Sequence, residues 1–130
     1  MRRGGDTANV ARALYNLGAV ALEESELGKA GECFAESIDL AREVGDPEDV
    51  AWCTIGVAAL ARERGRVDDA RRLLAAIDAM LVSLGAAMKP NEQRLYSRTR
   101  EALGAVPVAE DARLEQPDAV ELARAIARGS

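Results

Sequence analysis

Apolar residues recur along this chain with the spacing of a helix face. Over residues 7–24, Val10, Leu14, Leu17 and Ala21 fall at intervals of three and four, which gathers them on one side of a helix. Asp6 or Thr7 stands where a side chain can cap its start. Ser25-Glu26-Leu27-Gly28 reads as a turn. Residues 29–44 read as a second helix, with Phe34, Ile38, Leu40 and Ala41 inward and Glu32, Glu36, Asp39 and Arg42 outward. Gly45-Asp46-Pro47 ends it, because glycine suits the left-handed residue after a helix and proline cannot continue one. A third helix is expected over 48–64, carrying Val50, Ile55, Val57, Ala58 and Ala61. After a turn at Gly65-Arg66-Val67, a fourth follows over 68–84, with Ala70, Leu73, Leu74, Ile77 and Leu81 on its stripe. Gly85 closes it and Pro90 marks a fresh start. Further helices are expected near 91–103 and 117–128, joined by a loop over 104–116 that carries Val106-Pro107-Val108 and then charges.

The same pattern is written twice. A shift of 40 residues lays Val10-Ala11 on Val50-Ala51, Ala21 on Ala61, Leu27 on Val67, Ala30 on Ala70, Phe34 on Leu74 and Gly45 on Gly85. Small residues fall where two helices must approach, and large apolar ones fall between them.

This repeat resembles the tetratricopeptide repeat. That pattern sets a large residue, then Leu-Gly, then small residues at fixed offsets, then a bulky apolar residue on the second helix. Here it reads Leu14, Leu17-Gly18, Ala21, Ala30 and Phe34, and again Val57-Ala58, Ala61, Gly65, Ala70 and Leu74. The second copy departs at Thr54, where a large residue is expected, and at Ala58, which replaces glycine. The period also exceeds the usual value of about 34.

A narrower resemblance runs from Val50 to Gly104. The order Ala58, Ala61, Gly65, Ala70, Leu73-Leu74, Leu84-Gly85, Pro90, Arg94, Arg98 and Leu103-Gly104 is similar to the C-terminal helical repeats of LuxR-type and MalT-like transcriptional regulators. Those chains close on an Ala-Val-x-Leu-Ala helix, and Ala119-Val120-Glu121-Leu122-Ala123 matches it. Their nucleotide-binding loop and helix-turn-helix have no counterpart here.

Composition supports helices. The 130 residues include 26 Ala, while aromatics amount to 3%: Tyr15, Phe34, Trp52 and Tyr96. Alanine favours helices and is depleted in strands, which argues against all-β and α/β folds. The expectation is one all-α domain over 1–130, built as right-handed antiparallel helix pairs with about six helices. The first pair spans about 7–45 and the second about 48–85, with the helices at 91–103 and 117–128 as caps.

Charge and chemistry narrow the function. Seventeen basic against 22 acidic residues give a net charge of −5, the wrong balance for direct nucleic-acid binding. There is no histidine, which removes the commonest general base and metal ligand. Cys33 and Cys53 sit in apolar helical pattern and read as buried thiols, and neither has a histidine to make it a nucleophile. No glycine cluster is followed by Lys and Ser or Thr, as a phosphate loop requires. Asp68-Asp69 and Glu23-Glu24 read as solvated charges at helix ends. No enzyme activity, cofactor or metal is expected. Met1-Arg2-Arg3 is followed by Gly4-Gly5-Asp6 rather than an apolar stretch, and the apolar runs are short, so a cytoplasmic protein without leader or membrane span is expected.

What remains is binding surface. The resemblance implies that the first helix of each pair lines a concave face. That places Arg12, Tyr15, Asn16, Ala19 and Leu22, then Trp52, Ile55, Ala59 and Arg62 along a groove, where Trp, Tyr and Arg are the usual anchors. The implied function is a protein-interaction or sensory module from, or related to, a transcriptional regulator. The alternative is a free-standing homodimeric adaptor that docks a peptide. Either way the expected partner is a protein or peptide, a second copy included.

Overall fold

The computed structural model describes residues 4–45, 47–84, 90–103 and 116–129. Among the described residues there are six helices: α1 (Gly4–Glu23), α2 (Leu27–Val44), α3 (Pro47–Glu63), α4 (Val67–Leu84), α5 (Pro90–Leu103) and α6 (Gln116–Ala127). The fold is an all-α array of helix pairs. Gly85 and most of the expected loop, residues 104–115, lie outside the described residues.

Every helix starts before the point its apolar pattern suggests. α1 begins at Gly4, so Thr7 is a buried residue inside the helix and not its cap. Pro47 opens α3 instead of separating it from α2. In the first turn its missing N–H had no partner to lose, and its fixed φ is already helical. α2 and α4 start at Leu27 and Val67, which shortens the connecting turns to residues 24–26 and 64–66.

The repeat is legible in those turns, bond for bond. The amide of Glu26 donates to Ala21 O at 2.8 Å, and that of Arg66 to Ala61 O at 2.8 Å. Ser25 donates to Leu22 O at 3.1 Å, and Gly65 to Arg62 O at 3.0 Å. Both turns reverse through a left-handed residue, Ser25 at φ 61° and Gly65 at φ 80°. Such a residue lets the amides that follow a helix return to its last free carbonyls.

Phe34 organises the core. It is fully buried on α2 and lies against two glycines, Gly18 of α1 and Gly56 of α3. A Cβ on either would stand 2.7 Å or 2.6 Å from the ring, so the absent side chains are what let three helices close on one aromatic. Tyr15 tilts against the same ring at 5.9 Å between centroids. A polar link crosses the same three helices. Ser37 donates its one hydroxyl proton to Ala11 O at 2.6 Å, which leaves its oxygen to accept from the Cys53 thiol at 2.9 Å. Thr54, in place of the expected large residue, is buried and donates to Val50 O at 2.7 Å, which satisfies its hydroxyl within the helix.

The closing helix folds back. α6 packs on α2, α3 and α4 through Ala119, Val120, Ala123 and Ile126. Its rim is ionic: Arg124 meets Asp39 at 2.6 Å, Arg128 meets it at 2.7 Å, and Glu121 meets Arg42 at 3.1 Å. Arg64 donates to Ile126 O at the end of α6 and, at 3.3 Å, to Leu27 O. A cation at a helix C-terminus complements the carbonyls left free there.

Candidate functional site

α1 and α3 are the first helices of the two pairs and α5 follows the second pair; a cavity of about 460 Å³ opens between the three. From α1 come Tyr15, Asn16, Ala19, Val20, Leu22 and Glu23, with Ser25 from the turn that follows. α3 supplies Ala59, Arg62 and Glu63, and α5 supplies Arg94, Leu95, Arg98 and Thr99. These residues share a wall because α1 and α5 both pack on α3. The helical period brings Asn16, Ala19 and Glu23 to one side of α1, and Ala59, Arg62 and Glu63 to one side of α3.

Of the residues expected along a groove, Tyr15, Asn16, Ala19, Leu22, Ala59 and Arg62 line this cavity. Arg12, Trp52 and Ile55 do not. Arg12 is exposed on α1 and approaches Asp49 at 3.6 Å. Trp52 is 6% exposed and Ile55 fully buried, both within the hydrophobic core. The reason is the position of α3, which has helices on several sides and leaves these side chains no open face.

The α5 wall was not anticipated from the sequence. Arg94 and Arg98 are four residues apart and therefore share a helix face, but α5 is so polar that no apolar stripe shows which of its faces turns inward. It docks by Leu95, Tyr96 and the buried Thr99. Tyr96 donates to Asp78 of α4, and Arg100 donates to Tyr96 Oη at 2.9 Å while pairing with Asp78. Arg100 also stands over the Tyr96 ring at 5.2 Å. Burial, and then the hydrogen bond to Asp78, push the Tyr96 hydroxyl above its ordinary pKa.

The two thiols differ. Both are free, Cys53 buried and Cys33 half-buried, which corrects the expectation that both are buried. Burial pushes the Cys53 thiol up to about 12, and burial also raises Cys33. Neither is activated as a nucleophile, since activation lowers a thiol's pKa. Among the described residues, no group of three or more Cys, Asp or Glu side chains is placed to hold a metal ion, and no helix is long and apolar enough to cross a membrane.

A family model for the tetratricopeptide repeat matches residues 9–76, from α1 into α4. The chain belongs to the tetratricopeptide-repeat family. No curated protein and no solved structure matches it. Tetratricopeptide repeats stack helix pairs so that each buries its apolar face on its neighbours and a concave surface is left for binding. In this tetratricopeptide-repeat chain, the cavity lies between α1 and α3, which fall within the match, and α5, which follows it.

Proposed function

We propose that this protein is a non-enzymatic interaction module that receives a segment of a partner protein in the groove between α1, α3 and α5. The cavity itself carries the reading. Its lining sets Tyr15, Leu22 and Leu95 among Asn16, Arg62, Arg94 and Arg98, and Tyr and Arg are among the side chains most often found as anchors of protein interfaces. Tyr15, Asn16, Ala19, Ala59 and Arg62 are the groove residues in this proposal, and Trp52 and Ile55 support them from the core.

Two finer readings differ in what the module serves. In the first it is the sensory end of a transcriptional regulator, supported by the resemblance that ends in Ala119-Val120-Glu121-Leu122-Ala123. In the second it is a homodimeric adaptor, supported by Leu17 and Val20, which are 53% and 52% exposed on α1. An immunoblot of source cells separates them: a band far above 13.8 kDa favours the regulator. The groove is tested by photo-crosslinking from p-benzoylphenylalanine at Asn16, against Glu43 on the exposed side of α2. A partner adduct from position 16 alone is expected. Adducts from 43 alone, or from neither, overturn the groove; an adduct of twice the chain's mass identifies the second copy.

A further inference from the structure

Three guanidinium groups reach the mouth of the groove, Arg62 from α3 and Arg94 and Arg98 from α5. Two carboxylates stand with them. Glu63 holds Arg62 at 2.7 Å, and Glu23 lies 3.9 Å from Arg98. Among the described residues, Arg94 enters no ion pair and stands exposed. Three cations against two anions leave the rim with an excess of one positive charge, in a chain whose net charge is −5. The local sign is therefore opposite to the global one. The same groove carries apolar side chains, among them Val20, which is half-exposed, and Leu95.

We infer that the groove selects an acidic segment of its partner, seating an apolar side chain on Val20 and Leu95 and placing Asp or Glu carboxylates on Arg94, Arg98 and Arg62. This rests on the groove reading above and adds the charge of what enters. The guanidinium fork presents paired N–H donors that match a carboxylate. A neutral segment leaves Arg94 facing water, and a basic one meets the excess positive charge. The net charge of −5 does not reverse this. At physiological salt, charges beyond about 8 Å are largely screened, so a peptide already in the groove responds to the rim. A cavity of about 460 Å³ admits a few side chains, and pockets that bind small ligands span about 300–1,000 Å³.

The test is a selection of random twelve-residue peptides displayed on phage, against the immobilised protein and in parallel against Asn16→Trp, which fills the cavity from an exposed position. Recovered sequences are expected to be rich in Asp and Glu around an apolar residue and to be lost on Asn16→Trp. One recovered peptide is then measured by fluorescence anisotropy. Its Asn/Gln copy, and separately the Arg94→Gln/Arg98→Gln protein, are each expected to bind at least tenfold more weakly. The peptide copy leaves the protein untouched, so its result stands even if the double variant folds poorly. Neutral or basic peptides lost on Asn16→Trp overturn the acidic inference and leave the groove standing. Peptides that bind Asn16→Trp equally well, or no recovery at all, overturn both.

Discussion

In α3 every residue from Asp49 to Ala61 is buried, whereas α1, its counterpart 40 residues earlier, leaves Arg12, Ala13, Asn16, Leu17 and Val20 exposed. The turns that follow the two helices have the same hydrogen bonds, so the local backbone does not account for the difference. Neighbours do. α1 packs on α2 and α3, while α3 also meets α4, α5 and α6. A repeat therefore fixes the hairpin, and its place in the stack fixes which faces are dry. Phe34 and Leu74 occupy equivalent positions in the two pairs, but only Phe34 fills a gap between glycines of two other helices.

Truncating that ring should be the most damaging change. Phe34→Ala is expected to cost about 3–5 kcal/mol, since the cavity it leaves cannot be refilled by side chains that Gly18 and Gly56 lack. Leu74→Ala, at the same register of the second pair, should fall near the lower end of the range, about 2–3 kcal/mol. Urea titrations with unchanged m values would check both. A larger loss at Leu74 would break the argument that Phe34 joins the pairs.

Overpacking the same contact should cost less. Gly18→Ala and Gly56→Ala each place a Cβ under 3 Å from the ring and are expected to lose about 1–3 kcal/mol. Combining Gly56→Ala with Phe34→Leu should lose less than the sum of the two, because the smaller side chain admits the methyl group. An additive double-mutant cycle would show that the glycine and the ring act separately.

The buried thiol gives the comparison a pH axis. Cys53 is held at about 12, against an ordinary thiol value of 9.0, and its counterpart in α1 is the exposed Ala13. Above pH 9 the unfolded chain releases this proton and the folded chain keeps it, so the thiol's contribution is intact below pH 9 and lost as pH rises toward 12. The wild type should lose up to about 1.4 kcal/mol per pH unit more than Cys53→Ala over that window. Parallel profiles would count against the burial of Cys53.

Helices, turns and the repeat were legible because α2 and α4 each have one covered face, where the period of 3.6 survives. Helix starts were misplaced because backbone that precedes the apolar stripe still forms a first turn, as at Gly4 and Pro47. In the candidate site, α1 and the Ala59–Arg62 stretch of α3 followed from the repeat. Trp52 and Ile55 did not, since a helix covered on several sides loses the contrast that tells groove from core. The α5 wall escaped because Leu95, Tyr96 and Thr99 are too few to make a stripe. Gly56 was missed for a related reason: its partner, Phe34, belongs to the other pair.

The smallest expected effect probes the turns, where the pairs are most alike. Ser25 and Gly65 occupy the same left-handed position, but serine carries a Cβ there and glycine does not. Ser25→Gly removes a strain of roughly 1–2 kcal/mol and gives back about 0.5–1 kcal/mol through the greater freedom of glycine when unfolded. The net gain should be about 0.5–1 kcal/mol. Gly65→Ser should lose a similar amount, and the double exchange should leave the melting temperature near that of the wild type. Opposite shifts of similar size would confirm that the turns are interchangeable parts. Shifts of the same sign would mean that the hydroxyl of Ser25, beside the cavity, has a role its counterpart lacks.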